Sequence, residues 1–398
     1  MGWRERLDWT MEAADGLKPV GLVHQVLGDG RLDGRQIDLP QGRVVNFGNC
    51  SYLGLETDER LKRGACEAVE RFGVVFSSSR AYASLPLYEE LEALLSELGG
   101  GWPVVVAPST GVVHQAALPV LVEDGDAVCF DVMAHSTLHV TLPLLAARGI
   151  HCEPVPHDRI DVLERRARRL AEKHRRVFYL CDGVYSMHGD VANLDALLDV
   201  LDRTPALFAY VDDAHGVGWA GRHGAGVVLG ERRLHPQMAV ALSLNKAFAA
   251  GGGCLMLPEA ELARRVFTCG GPLIFSGPLP PAQLGAAIAS ARIHLSPELA
   301  VLQRELRSRI ELFDLLAATA GIECVVRTRS PIRFIELGSN ERTSAVAAAL
   351  LAAGFFVNVS VFPAVSRGHA GVRLMLTVNQ TLEDVGRLVT ELSQAVRR

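Results

Sequence analysis

Ala209-Tyr210-Val211-Asp212-Asp213-Ala214-His215-Gly216-Val217-Gly218 is the stretch that decides the fold. An apolar run stops abruptly at two aspartates, a histidine and two glycines. Strands buried on both faces read as continuous apolar runs, and they belong to parallel sheets covered by helices. Polar residues at the carboxyl end of such a strand stand where open α/β sheets place their ligands. Outward from this stretch, further strand-like runs fall at 104–106, 127–130, 177–181, 206–211, 239–244 and 254–257. Helical patterns at 163–174 and 194–201 separate some of them. Strands alternating with helices predict a large, mostly parallel α/β sheet.

Past residue 290 the pattern changes. Apolar residues at 302, 306, 310, 313 and 316 predict an amphipathic helix over 301–319, broken by Gly321. Strands are expected at 332–337, 355–361 and 372–377, with helices at 343–353 and 382–396. The first 45 residues are polar, and Gly28-Asp29-Gly30 and Asp33-Gly34 read as turns in an N-terminal arm with a small hairpin. The expected division is an arm at 1–45, a large domain at 46–288 and a smaller C-terminal α/β domain at 289–398.

The composition is that of a globular protein, 49% hydrophobic and 21% charged. The net charge of -5 argues against a nucleic-acid partner. The densest basic run, Arg165-Arg166-Ala167-Arg168-Arg169, is flanked by Glu164 and Glu172 and reads as a solvated helix face. No apolar segment approaches about 18 residues, so no membrane span is expected. The start, Met1-Gly2-Trp3-Arg4-Glu5, lacks an apolar signal core. Eight cysteines are scattered without a CxxC pair. They read as reduced thiols in a cytoplasmic protein with no metal site.

Five strand ends carry chemistry. Asp212 and Asp213 end a buried strand, where a carboxylate is costly unless it meets a positive partner such as a protonated pyridine nitrogen. Lys246, in Ser243-Leu244-Asn245-Lys246-Ala247-Phe248, precedes Gly251-Gly252-Gly253. Desolvation favours the neutral amine that Schiff-base chemistry requires, and Ser243 is placed to donate to a phosphate. Ser109-Thr110-Gly111-Val112 opens a helix whose free N–H groups suit a phosphate. His135, in Asp131-Val132-Met133-Ala134-His135, is of a type that stacks on a flat ring. Asp182-Gly183-Val184-Tyr185-Ser186-Met187-His188-Gly189-Asp190 follows the strand-like run at 177–181, with Ser186 as a hydrogen-bonding candidate.

In this order the motifs resemble the α-oxoamine synthase family of pyridoxal-phosphate enzymes, which includes 8-amino-7-oxononanoate synthase, serine palmitoyltransferase and the autoinducer synthases. The segment at 182–190 is similar to the family's (D/E)GVFSMDGD, 211–218 to DDAHGxG, 243–248 to SKAFG, and 373–377 to RLR(L/F)T. The resemblance implies fold type I of the PLP-dependent transferases, the aspartate aminotransferase-like fold. It implies pyridoxal 5'-phosphate held as a Schiff base on Lys246, which also moves the α-proton. Asp212 pairs with the pyridine nitrogen, His135 stacks on the ring, and Ser186 and His215 lie around its phenolic oxygen. Thr110, Gly111, Val112 and Ser243 reach the phosphate, and Ser276 reaches that of a neighbouring subunit in a homodimer. Arg373 holds the substrate carboxylate. The implied reaction condenses an amino acid with an acyl thioester, on coenzyme A or a carrier protein, with decarboxylation to an α-amino ketone.

Three departures stand on the substrate side. The family's NDYLGL is Cys50-Ser51-Tyr52-Leu53-Gly54-Leu55 here. Its GSGGSR becomes Val75-Phe76-Ser77-Ser78-Ser79-Arg80, and the Asp of SMDGD is His188. Cys50, Ser79 and Arg80 are therefore the expected substrate-side residues. An aminotransferase or carbon–carbon lyase on the same fold is the alternative, since Lys246 and Asp212 serve those reactions equally.

Overall fold

A computed structural model of the chain describes residues 3–232 and 234–397. In chain order its strands are β1 Gln36–Leu39, β2 Gly42–Asn46, β3 Val104–Ala107, β4 Ala127–Asp131, β5 His151–Val155, β6 Val177–Asp182, β7 Leu207–Asp212, β8 Met238–Ser243, β9 Gly253–Met256, β10 Ile332–Gly338, β11 Phe355–Phe356, β12 Asn358–Ser360 and β13 Ala370–Met375. The chain forms two compact units. One comprises Asp58–Tyr185 and Val191–Val301. The other takes the chain up to Thr57, Ser186–Asp190, and the chain from Leu302 on.

The first unit holds a seven-stranded sheet in the order β3-β9-β8-β7-β6-β4-β5. The strands β5, β4, β6, β7 and β8 pair in parallel. Only β9 runs against its neighbours, β3 and β8. Every residue of β6 and β8 is buried, which is why both read as unbroken apolar runs. Each Val or Leu withdrawn from water there contributes about 2 kcal/mol. Helices cover the sheet. Ile160–Ala171 turns Leu163, Ala167 and Leu170 inward. Its arginines face out, Arg165 on Asp161 at 3.0 Å and Arg168 on Glu164 at 2.6 Å, the solvated face read from the sequence.

In the second unit β1 and β2 form a hairpin extended by β11, and β10, β13 and β12 form an antiparallel sheet. Helices Asn340–Ala352 and Leu382–Arg397 complete it, and the long helix expected at 301–319 is Glu298–Ala320.

Three local expectations change. The N-terminal arm contains a helix, Trp3–Leu17, whose mean polarity hid it. The hairpin turns at Pro40 and Gln41, well past the Gly28–Gly34 turn signals. The strand expected over 355–361 is divided into β11 and β12. Edge strand β5 was also invisible, because His-Cys-Glu-Pro-Val is half exposed and carries a proline, as edges tolerate. No helix among the described residues is long and apolar enough to cross a membrane.

Candidate active site

The carboxyl ends of β4, β6, β7 and β8 and the start of helix Thr110–Leu121 surround a cavity of about 530 Å³. Thr110, Gly111, His135, Asp182, Asp212, His215, Ser243 and Lys246 line it. Residues scattered over 137 positions of sequence thus converge because parallel strands all end on one edge.

Lys246 sits in a tight loop after β8. Ala250 N–H donates to Leu244 O (2.8 Å), Ala249 N–H to Lys246 O (2.9 Å), and Leu244 N–H to Gly252 O (3.0 Å). Phe248 is fully buried, and its carbonyl accepts the Ser290 hydroxyl at 2.6 Å. The glycines that follow are a packing requirement. A Cβ on Gly253 would lie 2.6 Å from the Thr110 nitrogen, and Gly252 has φ +101°. Only glycine lets β9 pass this close to the helix start.

At that start the Ser109 hydroxyl caps the helix, accepting the N–H of Val112 at 3.2 Å. Val112 was expected to offer its N–H to a phosphate, but the cap takes it. Thr110 and Gly111 are the residues whose N–H groups remain among the first-turn donors that a helix leaves without an internal acceptor. Ser243 Oγ accepts Asn245 N–H at 3.2 Å, which leaves its own hydrogen for the cavity.

His135 follows β4. Asp131, fully buried, fixes this loop by accepting from Met133 N–H (2.7 Å), Tyr185 O–H (2.9 Å) and His157 Nδ1 (3.1 Å). The His135 N–H donates to Asp182 at 3.0 Å, and its Nδ1 accepts from Thr137 N–H and O–H, so Nε2 carries the ring hydrogen. Burial lowers the His135 pKa, with Asp212 opposing. The ring is therefore a neutral wall.

Asp212 ends β7. Its Oδ1 accepts Ala214 N–H at 3.0 Å, and its Oδ2 meets His114 Nε2 at 2.9 Å. Burial pulls its carboxyl up, but the charge and hydrogen bond of His114, helped by Lys246, outweigh this and hold it below the ordinary value. Asp182 is pushed well above that value by burial and by the charge of Asp212. Asp213 is structural: burial raises it too, its Oδ2 accepts Val228 N–H at 3.1 Å, and Gly183, Gly216 and Gly226 close around it. His114 was missed in the sequence. It sits in an apolar helix, and its partner lies 98 residues away.

Other expected residues lie elsewhere. Arg80 was expected to meet substrate, but its guanidinium is buried over the Tyr88 ring at 3.6 Å, donating to Val106 O (2.9 Å) and Glu92 (3.2 Å). Its donors serve the fold. Ser79 Oγ donates to Ile274 O at 2.7 Å, and Ser276 is exposed. In the second unit Arg373 Nε donates to Ser186 O at 2.6 Å, and Cys50 Sγ lies 3.9 Å from Arg373 Nη2. His188 packs edge-on against Phe334 at 4.9 Å.

The family model described as aminotransferase class I and II matches residues 43–392. The 8-amino-7-oxononanoate synthase of Maricaulis maris is 31% identical, over 92% of this chain and 90% of its own. That of Symbiobacterium thermophilum is 30% identical over 98% of each chain. Among solved structures, serine palmitoyltransferase from S. paucimobilis, with PLP and myriocin bound, aligns with a TM-score of 0.89. It covers 100% of this chain and 99% of its own at 21% identity, a likeness of fold.

Proposed function

The chain belongs to the class I and II aminotransferase family and, within it, to the α-oxoamine synthases, and from that premise we propose that it joins the Cα of an amino acid to the acyl carbon of a thioester. The cavity fits pyridoxal phosphate in its donor set. An amine, a carboxylate held ionised, a neutral imidazole wall and a helix start with uncapped N–H groups line one space. Lys246 is the Schiff-base residue, Asp212 the partner of the pyridine nitrogen, and His135 the ring wall. Thr110, Gly111 and Ser243 hold the phosphate, and Ser186 and His215 complete the set.

Bound there, PLP supplies an electron sink for the pair left on Cα when its proton departs. Lys246 takes that proton. Asp212, held as a carboxylate by His114, keeps the positive charge on the ring nitrogen in place. The Cα–C bond to the acyl carbon forms, the C–S bond breaks, and the thiol leaves with a proton. The carboxylate then departs as carbon dioxide, and a proton from solvent, delivered by Lys246, takes its place on Cα. Arg373 orients that carboxylate, work suited to a forked guanidinium, and Ser186 O fixes its Nε.

The single observation that carries the reading is Asp212 and Lys246 in one cavity, in a chain whose relatives bear a product name. That product, 8-amino-7-oxononanoate, has an amine on the carbon beside a ketone, the outcome of this condensation. The differences at Cys50, Ser77 to Ser79 and His188 support a different acyl chain or amino acid here. Phe275 is 87% exposed next to Ser276, and Tyr82 is 89% exposed, which supports a homodimer in which Ser276 serves the partner's site. Eight free cysteines support a reducing, cytoplasmic setting.

The test is thiol release. Purified protein with PLP, an amino-acid mixture and acyl-CoAs of varied length should liberate free thiol only when both substrates are present, with an α-amino ketone seen by mass spectrometry. Transfer of the amino group to a keto acid with no thiol released would make it an aminotransferase instead.

A further inference from the structure

We infer that His114 is the positioning residue for Asp212, clamped between that carboxylate and the Tyr210 hydroxyl. The inference rests on the reading of Lys246 and Asp212 as a PLP site.

The geometry is closed on both sides. His114 is fully buried, with Nε2 at 2.9 Å from Asp212 Oδ2 and Nδ1 at 3.0 Å from Tyr210 Oη. An ionised carboxylate only accepts, so Nε2 carries the hydrogen toward Asp212. The Tyr210 ring meets the imidazole edge-on at 5.6 Å, which fixes the ring plane as well as the hydrogen bonds. Tyr210 is itself fully buried and sits two residues before Asp212 on β7. Its side chain therefore leaves the strand on the same face as that of Asp212. One imidazole spans the two.

His114 also lies in the first turns of helix Thr110–Leu121. The helix that opens with Thr110 and Gly111 thus carries the imidazole that orients Asp212. A shift of this helix would move both together. Other charged or titratable groups around Asp212 include Lys246, Asp182 and Cys181 from β6, the adjacent Asp213 and the His135 ring. His114 binds the Asp212 carboxylate at Oδ2, and the Ala214 N–H binds it at Oδ1. Desolvating a carboxylate without such a partner is unfavourable, so its orientation and charge both depend on the clamp.

The experiment uses holoenzyme and reads the cofactor's visible absorbance rather than turnover. Wild type, His114→Gln, His114→Leu and Tyr210→Phe are loaded with PLP. The band of the Lys246-bound cofactor is titrated with pH, and PLP release is followed after dilution. A ring nitrogen that is no longer held protonated withdraws less charge from the Schiff base. The titration midpoint in His114→Leu should therefore rise by about one pH unit, and release should quicken about 10-fold or more. His114→Gln, whose amide still reaches a carboxylate, should recover part of both. Tyr210→Phe keeps the Asp212 contact and should shift the midpoint in the same direction by less. Wild-type midpoints and release rates in both His114 variants would overturn the inference. If His114→Leu does not fold, an unmoved midpoint in His114→Gln and Tyr210→Phe would overturn it as well. Failure of the PLP reading looks different, because wild type itself would then show no Lys246-dependent band.

Discussion

Asp182 and Asp212 are register partners at the ends of adjacent parallel strands, β6 and β7, yet their surroundings shift their carboxyls in opposite directions. Asp212 has His114 and Lys246 to hold its charge. Asp182 has a backbone N–H from His135, and burial with the Asp212 charge beside it pushes its carboxyl well above the ordinary range. Two buried carboxyls on paired strand ends are driven apart by their unequal partners.

That division predicts unequal mutants. Asp182→Asn keeps the shape of a side chain whose charge burial disfavours, so PLP occupancy and kcat should stay within about 5-fold of wild type. Asp212→Asn removes the charge proposed to pair with the cofactor nitrogen, and kcat should fall about 1000-fold. Steady-state kinetics with absorbance-measured occupancy check both. Equal losses in the two variants would contradict the assignment.

His294 predicts an acid limb in stability. It is fully buried, stacks on Phe248 at 4.4 Å and donates from Nδ1 to Ser290 O at 2.8 Å. Burial lowers its pKa to about 4. The unfolded chain therefore binds this proton first. Stability is fully present above the ordinary histidine value of about 6.5 and is lost as pH falls toward 4. The histidine accounts for about 3 kcal/mol of that loss. Melting curves of His294→Phe should show an acid limb flatter by that amount. Parallel limbs in the two proteins would exclude the histidine.

Arg80 predicts a stability effect rather than a KM effect. Burial raises the Glu92 carboxyl and Arg80 opposes this. Arg80→Met leaves that acid unpaired, so denaturant melts should lose about 3 kcal/mol, more at high pH than at low, with KM for both substrates kept. A KM increase without loss of stability would return Arg80 to the substrate pocket, as its place in the altered 75–80 segment first implied.

Arg373 predicts the reverse. Arg373→Lys cannot fork onto a carboxylate, so KM for the amino acid should rise about 100-fold while the cofactor band is unchanged. A changed band with unchanged KM would place Arg373 with the cofactor instead.

The sheet was legible from the sequence because its central strands are buried on both faces. The stretches ending at Asp182, Asp212 and Ser243 declare themselves as apolar runs with polar ends. Lys246, Asp212, His135, Gly111 and Ser243 were legible by type and place at those ends. The long-range pairings were not. His114 meets Asp212 and Arg80 meets Tyr88 through distances that no local spacing encodes. Trp3–Leu17 and β5 were missed because amphipathic surface elements without a buried run look like loops.

The central claim is a Schiff base on Lys246. Borohydride reduction of the PLP-loaded protein, followed by proteolysis and peptide mass spectrometry, tests it directly. The account predicts the pyridoxyl-phosphate mass on the peptide carrying Lys246, and its absence in Lys246→Ala. Stoichiometric label on another lysine, or none after reduction of protein saturated with PLP, would contradict it.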